Sequence, residues 1–219
     1  MAVRVLAHRL RSRRDLVVGS LDHPQSRIPD FYRELGDLFA VPLQVHNRWG
    51  GFKALRSRWS DHISSTLMRP VLIIDEVQEM PGSVFGELRI LSSKEFDSRS
   101  LLCVVLAGDG RFVDRLRRDD LLPLGTRIRR RLHFDYATRD ELCACLDHVL
   151  DAAGNSALMT TELKTTLAEH AAGNYRIMMN TADELLAFAF ERSASRLDEK
   201  LFFDAFAPPA KPKTPTKKR

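Results

Sequence analysis

Cysteine is scarce in this chain, with three in 219 residues, and the three are poorly placed to pair. Cys103 lies in an apolar run, and Cys143 and Cys145 are two apart in a helical pattern, where i and i+2 face different ways. A disulfide scaffold is excluded, and all three read as reduced packing residues of a cytoplasmic protein. No apolar run approaches the roughly 18 to 20 residues of a membrane span. The N-terminus, with Arg4, Arg9, Arg11, Arg13 and Arg14, is too basic and too poor in apolar residues for a secretory signal. His23 and His46 lack a second ligand at metal spacing, which excludes a zinc-type site. Internal repeats are absent too.

Charge of one sign is also missing from the body. The formal net charge is +5. The nine residues from Lys211 to Arg219 hold five basic side chains and no acid, so the rest is neutral. A wholesale nucleic-acid-binding domain is therefore not implied, and any basic footprint must be local. With 44% hydrophobic residues the chain can build a core, which excludes a wholly disordered protein.

The patterning changes character once along the chain. Residues 2–10 predict a helix, and Leu16-Val17-Val18-Gly19 a buried strand that stops at Asp22-His23-Pro24. Pro29-Asp30 opens a helix with Phe31, Leu35, Leu38 and Phe39 on one face, and another helix covers roughly 53–68. The run Val71-Leu72-Ile73-Ile74 predicts a parallel strand covered on both faces. A helix around 83–92, a strand over 101–107, a helix over 111–118 and a last strand over 129–134 complete this part. From residue 138 only helices are predicted. Thr138 and Glu141 form a capping box, Thr160 caps the next helix, a third buries Ile177, Leu185, Leu186 and Ala189, and Asp198 opens a short fourth. Strands alternating with helices and then helices alone imply an α/β core over 1–136, a helical lid over 137–206 and a disordered basic tail over 207–219.

Two carboxylates, Asp75 and Glu76, follow the 71–74 strand directly, at the strand end where open α/β sheets bind ligands. Burying such a pair idly would cost several kcal/mol. VLIIDE reads as a Walker B motif in which Asp75 holds Mg²⁺ through water and Glu76 polarises the water that attacks the γ-phosphate of ATP. The bland alternative is a solvated acidic turn. Gly108-Asp109 ends the next strand, where Asp109 is either a sensor of the γ-phosphate or a cap of the next helix. Gln78 is near enough to reach the pair, or simply bonds the turn. AGDG and DEVQ also resemble motifs of superfamily-1 helicases, but no glutamine follows at the helicase spacing.

These pieces, in order, resemble the AAA+ ATPases of the ExeA type in general secretion and the TniB-like ATP-binding partners of transposases. The resemblance is carried by VLIIDEVQEM (71–80), the segment 87–116, LGTRIRRRLHFDY (124–136) and GNYRIMMNTADELLAFA (173–189), and covers roughly residues 3–195. It implies an AAA+ parallel-sheet P-loop NTPase core followed by a helical lid. Asp109 would stand at sensor 1, and Arg127, with Arg129 and Arg130 as rivals, at the arginine finger of a homo-oligomer. Arg176 would be a nucleotide-binding sensor 2. In the transposon branch the resemblance implies DNA and a transposase as partners, in the other a secretion-type assembly.

One departure dominates: G-x-x-x-x-G-K-[ST] occurs nowhere in the 219 residues. Its backbone amides and lysine supply most phosphate contacts, so the chain as it stands is expected to bind ATP poorly. The helix at 2–10 resembles the far half of the one that opens at that loop. A strand expected between those at 101–107 and 129–134 is missing with it. The expectation is a start codon assigned too far downstream or a gene broken at its 5′ end. The rival is a nucleotide-independent DNA- or protein-interaction module. Trp49, Phe52, Arg48, Arg56 and Arg58 could mark a DNA-contacting surface. The simpler reading buries Trp59 in a helix and leaves Trp49-Gly50-Gly51 as a loop.

Overall fold

Four consecutive apolar residues, all buried, make β2 (Val71–Ile74) the axis of the architecture. A computed structural model describes residues 2–24, 27–43, 47–95 and 98–207. His46 and the basic tail from 208 onward lie outside the described residues. These fall into two compact units, Met1–Arg131 and Leu132–Arg219.

The first unit opens with α1 (Ala2–Arg11), β1 (Val18–Leu21), α2 (Ile28–Leu38) and α3 (Arg48–Thr66). After β2 come a 3-10 turn (Val77–Glu79), α4 (Gly82–Leu91), the short antiparallel pair β3 (Ser93–Lys94) and β4 (Arg99–Ser100), and β5 (Cys103–Leu106). The unit closes with α5 (Gly110–Arg115) and α6 (Leu122–Gly125). The sheet is parallel, in the order β1-β2-β5, with Val71 opposite Val18 on one side and Cys103 on the other. Side chains alternate across a strand, so β2 feeds two cores. Val71 and Ile73 pack with Ala7 of α1, while Leu72 and Ile74 join Phe31, Leu35, Leu55, Trp59, Phe85 and Leu88 from α2, α3 and α4. A strand covered on both faces must be apolar at every position, which is why its sequence shows no alternation.

Three expectations need correction here. Strand 129–134 does not form: the segment is irregular, with Leu132 and Phe134 exposed at 81% and 80%. A strand exists only by pairing, and β5, the edge strand, has no second neighbour among the described residues. Cys103 is exposed rather than packed, because it begins that edge strand. Trp49-Gly50-Gly51 is the first turn of α3 rather than a loop, since Asn47 accepts the Gly50 N–H at 2.7 Å and starts the helix early.

The second unit is helical: α7 (Arg139–Ala152), α8 (Thr161–His170), α9 (Tyr175–Glu191) and α10 (Glu199–Ala205). Thr138 and Glu141 form the capping box, and Thr160 accepts from the Leu163 N–H at 3.2 Å. The core joins Leu142, Leu146 and Leu150 of α7 to Leu163 and Leu167 of α8 and to Met178, Ala182 and Leu185 of α9. Ile177 and Leu186, expected inside, are exposed; the buried face of α9 runs instead through Met178, Thr181, Ala182, Leu185 and Ala189. Asn174 places this face, because its side chain caps α9 through the Arg176 and Ile177 N–H groups.

Gly173 joins α8 to α9 with φ +84°, and a Cβ there would sit 2.6 Å from the Tyr136 Cβ and 2.9 Å from the Ala137 carbonyl oxygen. Gly154 has a similar φ of +80° but open space around it. Both glycine-to-alanine changes strain the backbone, and only Gly173→Ala adds a collision. Gly154→Ala is expected to cost about 1 kcal/mol and Gly173→Ala distinctly more, read from urea midpoints of the helical circular dichroism.

Candidate functional site

The ladder carries β2 straight into the acidic pair. The Asp75 N–H continues the pairing by donating to the Leu21 carbonyl at 3.1 Å. Asp75 is half-buried, and its Oδ1 accepts the Glu76 N–H at 3.0 Å. Glu76 then turns left-handed, with φ 52° and ψ 38°, a costly region for a residue with a Cβ. That turn sends the chain into the 3-10 segment and leaves Glu76 exposed.

Gln78 ties the pair to the next strand. It is buried at 8% exposure, its Nε2 donates to Glu76 Oε2, and its Oε1 accepts the Asp109 N–H at 3.2 Å. One Glu76 oxygen is thereby held by an amide and the other is left for water or a ligand. The Val77 N–H bonds the Ala107 carbonyl at 3.0 Å, drawing the tip of β5 against the turn. At Gly108 a Cβ would lie 2.6 Å from Gln78 Oε1 and 2.8 Å from Val77 Cγ2, so the close approach requires glycine. Gln78 thus bonds Glu76 of the pair and, through it, the turn.

Asp109 joins this cluster through its backbone. Its side chain caps α5, accepting the Arg111 N–H at 2.9 Å, and its Oδ2 accepts from Arg111 Nε at 2.7 Å. The hydrogen bond and charge of Asp109 raise the Arg111 pKa, and Glu79 holds the same guanidinium at 3.1 Å. Arg127 is exposed in the turn after α6, with its N–H on the Leu124 carbonyl at 3.0 Å. Arg129 and Arg130 are exposed, and Arg131 Nη2 reaches the Gly125 carbonyl at 3.2 Å. Arg176 is exposed in the first turn of α9, in the second unit. Asp75, Glu76, Gln78 and Asp109 are thus brought together.

Two contributors escaped the sequence reading. Arg115 donates to the Gln78 and Met80 carbonyls at 2.5 and 2.8 Å and lies over the Phe85 ring, clamping the 3-10 turn. Glu87, 5% exposed on the apolar face of α4, accepts the Tyr32 hydroxyl at 2.8 Å and is paired bidentately with Arg48, whose Nε lies at 3.1 Å. A glutamate inside the stripe Val84, Leu88 and Leu91 was the available signal. The cluster binds α2 and α3 to the helix that follows the acidic turn.

The donor set suits a Mg²⁺ ion in part. Asp75 and Glu76 present carboxylate oxygens at a strand end, and no group of three or more His, Cys, Asp or Glu poised for a metal occurs among the described residues. An ion there would keep water and substrate oxygens in its shell, as Mg²⁺ does. The phosphate end does not fit, because no loop of the 219 residues has the glycine-lysine spacing that cradles phosphates.

The chain is similar to known proteins. An AAA domain family model matches residues 1–116. The general secretion pathway protein A of Aeromonas hydrophila is 28% identical over 172 residues, covering 77% of this chain and 31% of that protein. The chain therefore spans about a third of that relative's length. The Aeropyrum pernix ORC2 protein in its ADP form superposes with a TM-score of 0.67 at 14% identity, over 93% of this chain and 56% of that one. Cdc6p from Pyrobaculum aerophilum gives 0.66 at 12%, over 89% and 53%. The Aeropyrum pernix ORC1 protein in complex with DNA gives 0.62 at 16%, over 92% and 54%. At these identities the likeness is one of fold, that of AAA+ P-loop NTPases. No helix among the described residues is long and apolar enough to cross a membrane.

Burial first, then the Glu87 hydrogen bond and charge, push the Tyr32 phenol well above its ordinary value. A folded pKa above the unfolded one contributes stability below roughly pH 10, and this is lost as pH climbs from there. The stability advantage of the wild type over Tyr32→Phe is expected to shrink by roughly 1 kcal/mol between pH 9 and 11 in urea titrations. An advantage that stays constant across that interval contradicts the assignment.

Proposed function

The chain belongs to the AAA domain family, and on that premise we propose that its acidic turn is the Walker B site of an AAA+ ATPase. Asp75 is the residue to carry Mg²⁺, through water, and Glu76 the residue to polarise the hydrolytic water. Asp109 stands at the sensor 1 position, where its carboxylate also caps α5 and holds Arg111, so a sensor role requires it to exchange Arg111 for the nucleotide; Arg127 is the finger offered to a neighbouring copy in a homo-oligomer, and Arg176 the lid arginine on nucleotide. AAA+ ATPase relatives use ATP and Mg²⁺; the phosphoryl group to be transferred comes with the nucleotide. The part played by this chain's own residues is to hold the metal end and orient one carboxylate.

The observation that carries the reading is the Gln78 bridge. A buried amide that fixes one oxygen of Glu76 while bonding the Gly108-Asp109 backbone couples the water-polarising residue to the neighbouring strand tip. A solvated acidic turn has no use for such a bridge.

The reading needs a strand and a phosphate-binding loop from outside the 219 residues. Its structural support is β5, an edge strand whose outer side has no partner among the described residues. We place the working product in a form in which that edge is occupied and the loop present. Its action belongs to a transposase-linked assembly on DNA or to a secretion-type assembly. The second reading, a nucleotide-independent module, is favoured by the missing lysine alone.

Genomic DNA upstream of Met1 is expected to encode, in frame, a strand followed by G-x-x-x-x-G-K-[ST]. In the product that carries it, Glu76→Gln should cut phosphate release by about a hundredfold or more while leaving nucleotide affinity within about threefold. Unaltered release in Glu76→Gln would sink the Walker B assignment. A stop codon upstream with a ribosome-binding site before Met1 leaves the nucleotide-independent module.

A further inference from the structure

The first two turns of α3 carry an aromatic and basic surface that the nucleotide site does not use. Trp49 is 62% exposed, an unusual outlay of apolar area for so large a side chain, while Trp59 on the same helix is buried at 1%. The Trp49 ring stacks on Phe52, with centroids 5.1 Å apart and planes 6° from parallel. Lys53 Nζ lies 5.2 Å from the centre of the Trp49 ring, and the Arg56 guanidinium 4.8 Å from that of Phe52. Positions 49, 52, 53 and 56 share one helical face.

Charge decides what that face suits. α3 holds Arg48, Lys53, Arg56 and Arg58 against the single acid Asp61. Arg48 is committed to Glu87, whereas Lys53, Arg56 and Arg58 enter no ion pair among the described residues. An apolar protein partner covering Trp49 would have to strip water from cations left without counter-charges. A strand of nucleic acid supplies both complements at once, a base to stack on the indole and phosphates for the flanking cations. In a duplex the base faces are already stacked on one another, so only an unpaired base offers a free face to Trp49.

We propose that the Trp49–Phe52–Lys53–Arg56 face of α3 binds single-stranded nucleic acid, with Trp49 as the stacking platform. This deepens the DNA part of the function proposed above, rests on it only there, and needs no bound nucleotide. The basic tail supplies at most a sequence-blind electrostatic background that variants on α3 leave in place.

The test is fluorescence anisotropy of the full chain with a labelled oligo(dT) of about 20 nucleotides, without ATP, together with tryptophan emission. The single strand should quench Trp49, and Trp49→Ala should weaken binding by roughly tenfold while Trp49→Phe retains most of it. Lys53→Ala with Arg56→Ala should lower the slope of log affinity against log salt by roughly 1.4. Circular dichroism verifies that each variant is folded. Affinity for oligo(dT) unchanged in Trp49→Ala overturns the proposal, as does equal binding of a duplex or of poly-glutamate with equal quenching. Those failures leave the Walker B site untouched, since Glu76→Gln is read by phosphate release and not by oligonucleotide binding.

Discussion

The register of three parallel strands constrains everything that follows in the first unit. Val71 to Ile74 are paired on both edges and buried on both faces. A slip of one residue would exchange the two cores and pull Asp75 into an apolar environment. Since neither neighbour can yield, the strand must end at Ile74, and the two carboxylates emerge together at the rim. The left-handed Glu76 is a consequence: the chain has to leave the sheet at once, and the bonds from Val77 to Ala107 and from Gln78 to Asp109 hold the turn in that geometry.

Among the described residues of this unit few polar side chains are buried, and all but the Trp59 indole N–H, which has no partner, are hydrogen-bonded. Glu87 is tolerated on the apolar face of α4 because it meets a hydroxyl and a guanidinium, the condition under which a buried carboxylate is not simply a loss. Arg48 stands at the start of α3, so the same pair that neutralises Glu87 fixes the base of the helix whose next residue is the exposed Trp49. Arg115 plays the corresponding part for the 3-10 turn by filling two carbonyls. The site and the α3 surface are therefore braced by different ion pairs and bonds.

The chemistry is incomplete in an instructive way. Oxygen donors for a metal and an oriented carboxylate are present, while the phosphate cradle that this fold ordinarily supplies from a glycine-rich loop is missing from the 219 residues. The family match and the fold shared with Cdc6p and ORC2 say which architecture the acidic turn belongs to. They do not supply the cradle. The outer side of β5, with Cys103 exposed, has no partner among the described residues.

Much of this was legible in the residues, for identifiable reasons. The apolar run 71–74 followed by Asp75-Glu76, the capping box at Thr138 and the caps at Thr160 and Asp198 are local patterns, and local patterns express themselves wherever the chain folds. Other features depended on partners remote in sequence. Residues 129–134 read as a strand by composition, but a strand is a pairing, and among the described residues they pair with none. Met178 rather than Ile177 faces inward on α9 because of where Asn174 sets the helix start, not because of hydrophobicity. Trp59 is buried as its helical stripe predicts and Trp49 is exposed, but that Trp49 sits on the same helix rather than in a loop follows from the Asn47 cap. The sequence by itself determined the acidic turn and the change from strands to helices. The tertiary structure decided that Gln78 reaches both Glu76 and Asp109, that Glu87 finds Tyr32 and Arg48, and that Asp109 spends its carboxylate on Arg111. The reach from Gln78 to Asp109 and from Glu87 to Tyr32 and Arg48 joins segments whose separation along the chain carries no trace of their proximity in space, whereas Asp109 and Arg111 are neighbours whose pairing settles which of two local readings holds.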